Sequence, residues 1–160
     1  MTALAPSAIA LAPTSFLAPP PPPPPPLPPP PPPPIEEVAF QLCPTVLRGA
    51  QPHVAQVGNF IKGLFGIKDV GGASGRGGSD DHTRGLALDF MVNDVAVGSA
   101  LASYVLGNQS MFGVSYVIWQ QRYNDGKGWS KMEDRGSRTA NHYDHVHVSF
   151  APGGRLDLTC

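Results

Sequence analysis

A nearly continuous proline run limits where this chain can fold. Between positions 19 and 34 only Leu27 interrupts the prolines, and 17 of the chain's 20 prolines lie within the first 34 residues. Proline fixes φ and has no backbone N–H, so such a run adopts an extended polyproline II helix. Sixteen residues of this helix reach on the order of 50 Å. The run predicts a stiff spacer; a ligand for an aromatic-lined recognition groove is the alternative.

A shift in composition predicts three parts of the chain. Every glycine and every charged side chain lies after position 34. We therefore expect an Ala/Pro-rich tail or truncated signal segment at 1–18, a disordered polyproline linker at 19–34 and one globular domain at 35–160. The first segment has no basic residue, and Pro6 and Pro13 interrupt its apolar run, so it is an incomplete match to a secretory signal. It is also too short and too interrupted to cross a bilayer as a helix.

The charge balance excludes some partners. The chain has 11 basic and 12 acidic side chains, a formal net charge of -1, and no run of Lys or Arg. Without a basic face there is little to neutralise phosphates, so neither nucleic acid nor an anionic membrane surface is an expected partner. We expect a monomer without membrane insertion.

Hydrophobic periodicity predicts both helices and strands. Apolar residues recur at intervals of three and four in 54–64, as on one face of a helix. A second helix is expected after Asp94, a typical N-cap, with Gly107 and Asn108 as its stop. Short apolar or alternating runs predict strands at 86–92, 114–119 and 145–150, and a turn is expected at 123–128.

Two cysteines stand almost at the two ends of the globular part. In an oxidising compartment, a bridge between Cys43 and Cys160 would close a loop of over a hundred residues and contribute roughly 4 kcal/mol on the chain-entropy model. We expect this disulfide; two unrelated thiols are the alternative.

Four of the five histidines fall in two short segments. The segment 79–90 contains one of them and the segment 141–148 contains three, and each segment also carries aspartate. A lone histidine on a strand is usually an ordinary polar residue. Imidazoles clustered with carboxylates instead indicate a site, and this ligand set suits zinc.

The local patterns suggest how these residues are presented. Asp89 interrupts an apolar run, and a mid-strand carboxylate is costly to bury without a partner or a metal. In the strand at 145–150, alternation places His145 and His147 on one face, while Val146 and Val148 point into the core.

Our hypothesis is that one divalent metal, zinc by preference, is bound by His82, Asp89 and His147. Three protein ligands leave a fourth position for water, as catalytic zinc sites do. Asp144 and His145 would carry out proton chemistry beside the metal.

At these residues the sequence resembles the LAS metallopeptidases, the group of lysostaphin-type endopeptidases, D-alanyl-D-alanine carboxypeptidases and the hedgehog signalling domain. The stretch from about 70 to 150 is similar to the C-terminal catalytic domain of secreted actinobacterial and fungal wall proteins. The matching pattern is Ser-x-x-His-x-x-Gly-x-Ala-x-Asp followed by His-x-His, here Ser79, His82, Gly85, Ala87, Asp89, His145 and His147.

The resemblance implies an α+β fold, a small antiparallel sheet flanked by helices, with the zinc ligands named above. It implies that Asp144 is the general base, that His145 assists the transition state and that His142 is an additional active-site histidine. The group's substrate-carboxylate clamp is an arginine before the first ligand, and Arg76 stands at the comparable place without the usual Gly-Tyr-Arg context. Either Arg76 has taken over the clamp or the clamp is missing.

The expected function is zinc-dependent hydrolysis of a peptide bond in bacterial peptidoglycan by a secreted or cell-wall-associated protein. A catalytically silent module that binds zinc or wall peptide is the alternative. A further alternative is a glycan hydrolase, in which Asp81 and Asp144 would form the carboxylate pair.

Other residues carry simpler expectations. The glycine-rich loop 71–78 lacks a phosphate-binding pattern. Trp119 and Tyr116 are predicted to be core residues, and His53 a surface residue. Arg135 and Arg138 are predicted to be solvated charges, with substrate contact by one of them as the alternative.

Overall fold

The structure is a computed structural model that describes residues 41–154 and 156–160. The predicted tail and polyproline linker lie outside these residues, as do positions 35–40 at the start of the predicted domain. The helices and strands of the described part follow in this order: α1 Pro52–Phe65, β1 Val70–Gly71, β2 Ala87–Met91, α2 Val95–Gly107, α3 Gln109–Phe112, β3 Val114–Trp119, β4 Arg122–Asn124, β5 Ser130–Lys131 and β6 His145–Phe150.

The helix predicted from periodicity at 54–64 is confirmed as α1, which is slightly longer than predicted. It starts with Pro52 in its first turn, where the missing N–H costs nothing, and ends at Gly66 in the left-handed conformation with φ 64°. Its buried face contains Val54, Val57 and Ile61. The prediction for His53 is wrong: this residue belongs to the first turn and is only 6% exposed.

Helix α2 begins where its cap predicted. The carboxylate of Asp94 accepts hydrogen bonds from the N–H groups of Ala96 and Val97, at 2.8 and 3.2 Å. This satisfies two donors that have no partner within the helix. Gly98 permits close approach to the sheet, because a Cβ at this position would lie 2.3 Å from Cζ2 of Trp119.

The strands form one antiparallel sheet in the order β1-β2-β6-β3-β4-β5. Strand β6, late in the chain, therefore lies in the middle of the sheet between β2 and β3. The expected α+β class with a small antiparallel sheet is confirmed. A central β6 brings the second histidine segment beside the first.

The two faces of the sheet differ in character: one is apolar and the other carries polar side chains. Leu88, Val117 and Val148 lie in register on the face that packs against α1 and α2, and each is fully buried. Asp89 and His147 form the next register pair, beside Leu88 and Val148, and point from the opposite face. The confirmed core position of the alternate valines thus leaves a polar face for a site.

Two turns shape the far half of the sheet. The predicted Asp125–Gly126 turn joins β4 to β5, although β4 occupies the beginning of the predicted turn region. The turn between β3 and β4 has no glycine: Gln120 and Gln121 adopt positive φ values of 51° and 56°. Both are strained for these residues, and both N–H groups donate to the segment before β6, to the carbonyls of His142 and Asn141.

The ends of the domain are joined covalently. Cys43 and Cys160, 117 residues apart in sequence, form the expected disulfide. A backbone bridge between Leu42 and Thr159 runs beside it. Among the described helices, none has the length and apolar character needed to cross a membrane.

Candidate metal centre

The two histidine segments meet on the polar face of the sheet. Asp89 of β2 and His147 of β6 are direct cross-strand partners. His82 lies in the turn before β2, which is closed by hydrogen bonds from Gly85 N–H to the His82 carbonyl (2.8 Å) and from Leu86 N–H to the Asp81 carbonyl (2.7 Å). The backbone of the antiparallel pair and of this turn therefore positions all three residues.

Three ligand atoms converge at this point. Asp89 Oδ1 lies 3.2 Å from His82 Nε2 and 2.9 Å from His147 Nδ1, and the two nitrogens are 3.2 Å apart. Zinc bonds of about 2.0 to 2.2 Å in a tetrahedral arrangement place ligand atoms about 3.3 to 3.6 Å from each other. All three side chains are buried. Their separations and chemistry fit a shared zinc ion; that they bind one stays a prediction.

Arg76 occupies the remaining oxygen of the carboxylate. Its guanidinium donates to Asp89 Oδ2 at 2.5 Å. Burial raises the pKa of Asp89, but hydrogen bonds from His147 and His82 outweigh it and hold the pKa far below its usual range. Arg76 lines the cleft, and one nitrogen of its guanidinium binds a candidate ligand residue. That Arg76 clamps a substrate carboxylate stays a prediction.

Asp144 and His145 form a hydrogen-bonded pair. His145 Nδ1 lies 2.7 Å from Asp144 Oδ1, and Thr139 Oγ1 donates to the other carboxylate oxygen at 2.6 Å. Burial raises the pKa of Asp144, but the hydrogen bonds from Thr139 and His145 lower it below its usual value. His145 Nε2 points toward the ligand cluster, 3.7 Å from Asp89 Oδ1. The Nε2 edge of the imidazole faces the cluster, and the Asp144 carboxylate hydrogen-bonds to Nδ1 on its other edge.

His142 lies against His145, with ring centroids 4.7 Å apart. Its backbone is strained, with φ 56°, and its Nδ1 is buried without a hydrogen-bond partner among the described residues. Burial, followed by the charges of His145 and His147, lowers the pKa of His142 to about 4. A neutral ring with an unused nitrogen is therefore present at the cleft at neutral pH. Strain of this kind occurs often at functional sites.

A second group of side chains stands behind His147. Its Nε2 lies 3.0 Å from the hydroxyl of Ser149, and its ring stacks on Tyr116 at 5.7 Å. Tyr116 donates to Asp81 Oδ2 at 2.8 Å, and Arg84 forms an ion pair with Asp81 Oδ1. Tyr116 is therefore half-buried around a polar contact, whereas the core prediction holds for fully buried Trp119.

Sequence reasoning did not identify Ser149 as a partner of His147, or Asp81 as a partner of Tyr116. Ser149 follows His145 and His147 at the same spacing of two, so the alternation that placed both histidines on one face could have identified it. No such signal existed for the contact of Asp81 with Tyr116, because it depends on how a turn lies over the sheet.

A pinned loop forms another part of the cleft. The buried side chain of Asn141 accepts from the N–H of Arg135 at 2.8 Å and donates to Asp134 at 2.7 Å. Arg138 donates to the carbonyl of Tyr143 at 3.1 Å. The guanidinium of Arg135 lines the cleft and has no hydrogen bond or ion pair within 41–154 or 156–160.

The resulting cleft has a volume of about 360 Å³ and a predominantly charged and polar lining. Its lining residues are Arg76, Asp80, His82, Asp89, Arg135, Thr139, Ala140, His142, His145 and His147. Six of the seven predicted site residues line it. The seventh, Asp144, does not line the cleft but hydrogen-bonds to His145, which does.

This site defines a small α+β domain in which a His-Asp-His group that could hold a metal ion and an Asp-supported histidine lie at one cleft. The family described as VldE, C-terminal domain, matches residues 46–143, more than half of the chain. The chain belongs to that family. The match includes His82, Asp89 and His142 and ends just before His145.

A curated relative adds a second comparison. The chain is 29% identical over 126 residues to an uncharacterized secreted protein of Arthroderma benhamiae, in an alignment covering 62% of this chain and 50% of that protein. The chain thus spans about half the length of this relative. No solved structure matches it. The more specific resemblance to the LAS metallopeptidases stays a prediction.

Proposed function

We propose that this domain is a zinc-dependent hydrolase that cleaves a peptide bond, with the peptide part of bacterial peptidoglycan as its substrate. The observation that carries this proposal is the convergence of His82 Nε2, Asp89 Oδ1 and His147 Nδ1 within 3.2 Å of one another. Zinc held there would supply Lewis acidity, which activates water and polarises a carbonyl. The substrate class rests on the motif resemblance.

The geometry favours a different division of work between Asp144 and His145 from the one the resemblance implies. His145 faces the candidate ligand cluster, which supports a role in which its Nε2 would take a proton from the attacking water and return it to the leaving amine. Asp144 would orient this ring through the 2.7 Å contact with Nδ1 and stabilise the imidazolium. Thr139 fixes the carboxylate in turn.

The remaining residues fit supporting roles. His142 is neutral at pH 7 because its pKa is about 4, so it can donate a ring N–H to a developing oxyanion without carrying charge itself. Arg76 would hold Asp89 to a single ligating oxygen.

The location proposed is outside the cell. The Cys43–Cys160 disulfide is typical of an oxidising compartment, and the fungal relative is described as secreted. Cell-wall association is part of the same proposal and rests on the expected substrate.

The geometry gives less support to the glycan alternative. Asp81 is bound to Arg84 and Tyr116, and Asp144 is bound to His145 and Thr139. Neither carboxylate lines the described cleft. A pair of carboxylates flanking a sugar bond would have to be free on opposite sides of it.

The test uses the full chain, prepared metal-free and then titrated with zinc, with muropeptides as substrate. We expect new free amines, loss of cleavage with chelator, and a fall of about 10²- to 10⁴-fold in kcat for His145→Gln with zinc content unchanged. His53→Gln is the matched control, because His53 is buried outside the cleft. Zinc binding without any amide cleavage would instead support the silent binding module, and a new reducing end would support the glycan hydrolase.

A further inference from the structure

Left-handed backbone conformations are concentrated at one place beside the cleft. Four non-glycine residues have positive φ in the part of the chain that the structure describes, and three of them are Gln120, Gln121 and His142. Their φ values are 51°, 56° and 56°. Residues other than glycine rarely adopt this region, and such conformations persist only where surrounding contacts enforce them. The contacts around these three residues therefore show what fixes the backbone of His142.

The β3–β4 turn and His142 hold each other through the backbone. The N–H of Gln120 donates to the carbonyl of His142 at 3.0 Å. The N–H of Gln121 donates to the carbonyl of Asn141 at 2.8 Å. The N–H of His142 in turn donates to the carbonyl of Thr139 at 3.0 Å. Both backbone polar groups of His142 are thus bonded, so the direction in which its side chain leaves the backbone is fixed.

The side chain of Gln121 adds a second set of contacts. Its Oε1 accepts from the hydroxyl of Tyr143 at 2.8 Å, and its Nε2 donates to the carbonyl of Met132 at 3.2 Å. The carbonyl of Gln121 also accepts from the N–H of Met132 at 2.8 Å. One carboxamide therefore joins both ends of the loop between β5 and β6, and one of those ends is the residue directly after His142.

The ring of His142 lies at the candidate metal centre. This residue is only 8% exposed, and its ring centroid lies 4.7 Å from that of His145 and 5.6 Å from that of His147. Its Nδ1 has no hydrogen-bond partner among the described residues, so no bond at this nitrogen holds the ring. The position of the ring depends instead on the backbone of His142 and on the two neighbouring imidazoles.

We propose that Gln121 and Tyr143 are positioning residues, which hold the His142 ring against the candidate metal cluster through the backbone of the segment 141–143. This inference rests on the role of His142 in the proposed function and extends it to two residues that do not line the cleft. A donor aimed at developing charge is effective when it is held in place before the reaction. The strained turn would supply that rigidity to a ring whose Nδ1 has no partner.

The first test observes the ring directly in the metal-free full chain. Nuclear Overhauser effects between the ring protons of His142 and His145 report the 4.7 Å arrangement, and we call them the ring signal. We expect Gln121→Ala to lose the ring signal, because both side-chain bonds of Gln121 disappear. Tyr143→Phe, which removes only the hydroxyl bound to Gln121, should weaken it. Thermal unfolding identifies any variant that fails to fold.

Matched controls separate positioning from a general loss of contacts. Gln109→Ala removes a carboxamide that likewise donates to two backbone carbonyls, those of Ser115 and Asp125, which do not line the cleft. Tyr104→Phe removes the hydroxyl of a tyrosine on α2 that packs against the core. Both controls should keep the ring signal. Gln121→Gly should lose it, although glycine adopts φ 56° without strain, and this variant replaces Gln121→Ala if that protein does not fold.

The second test is kinetic and uses the zinc-loaded protein. Gln121→Ala should lower kcat by about 10- to 100-fold with a smaller change in KM, because displacing a group by about 1 Å can cost about 100-fold. In a His142→Ala background the same substitution should cause no further loss, since residues that act through one side chain are not additive. Gln109→Ala should leave both constants unchanged.

The outcomes separate this inference from the proposed function. Retention of the ring signal in both Gln121→Ala and Tyr143→Phe would overturn it, as would absence of the signal from the wild type or its loss in Gln109→Ala. A further fall in kcat in the His142→Ala background would also overturn it. If the wild-type protein binds zinc but cleaves no peptide, the hydrolase proposal fails and the ring signal alone decides the positioning role. If peptide cleavage occurs and the variants keep the signal, the proposed function stands and this inference fails.

Discussion

His53 and His142 are both buried, yet their ring nitrogens meet different surroundings. In the terminal closure, formed by α1, the Cys43–Cys160 bridge and the segment after β6, His53 Nε2 bonds the carbonyl of Ala151 at 3.1 Å. In the cleft, one ring nitrogen of His142 and one of His82 have no partner among the described residues. The partners of a buried histidine, and not its burial, therefore indicate a site.

The same contrast holds for how the two regions are stabilised. The terminal closure is covalent and packed: a Cβ on Gly154 would lie 2.8 Å from His53 Cδ2. The cleft is held by charged and polar contacts around Asp89 and Asp144. If this comparison is right, changes in one region should affect stability and changes in the other should affect chemistry.

The largest expected effect is on metal binding. His82→Ala removes one of three converging ligand atoms, so zinc content measured after dialysis should fall to near zero. His53→Gln, whose amide can still donate to a carbonyl, should retain wild-type zinc content. Equal zinc loss in both variants would remove the distinction between the two kinds of buried histidine.

A large effect is expected from the carboxylate behind His145. Asp144→Asn should lower kcat by about 10²- to 10⁴-fold with zinc content unchanged, because the ring loses its orienting anion. Residues that act as a unit are not additive, so Asp144→Asn combined with His145→Gln should be no slower than His145→Gln alone. Additive losses would assign independent roles to the two residues, as the resemblance first implied.

The terminal closure should show the reverse behaviour. Replacing Cys43 and Cys160 together by serine should lower the free energy of unfolding by about 2 to 5 kcal/mol, measured by urea denaturation. The zinc Kd of the folded protein at 25 °C should stay within about twofold of wild type. A large loss of zinc affinity in the folded double variant would couple the two regions that this comparison separates.

The smallest effect is expected at the rim of the cleft. Arg135 presents a guanidinium without a partner in the described part of the chain, whereas Arg138 is bound to the Tyr143 carbonyl. Arg135→Gln should raise KM for an anionic peptide about tenfold, with little change for its neutral amide. Arg122→Gln, the same change on β4 beside Trp129, is the matched control. Equal effects of both variants would mean a general charge effect.

Much of the fold follows from local patterns. The three-and-four periodicity of α1, the Asp94 cap of α2 and the alternation of β6 depend on neighbouring residues, and the structure confirms each of them. The Gln120–Gln121 turn could not be predicted in this way, because neither residue favours positive φ. Its backbone is held by hydrogen bonds to a segment about twenty residues later in sequence.

The location of the site was predictable because histidines clustered with aspartates are uncommon in a sequence. Histidines clustered with aspartates identified the two segments that meet. The contact of Arg76 with Asp89 was not predictable, because the placement of a loop brings the two side chains together. The contact of Ser149 with His147 could have been predicted from the alternation of β6. His53 shows the opposite error, since its polar character concealed its contact with Ala151.

Asp89 and His147 are paired directly across the β2–β6 ladder, so the geometry of the cleft depends on the register of these two strands. A shift of one residue would set a valine opposite the aspartate, and a shift of two would present His145 or Ser149 there instead. A bound cation that requires both side chains would thus stabilise this strand register over the neighbouring ones. For anyone grafting or lengthening these strands, inserting a single residue into either one should erase the centre even where the helices still pack.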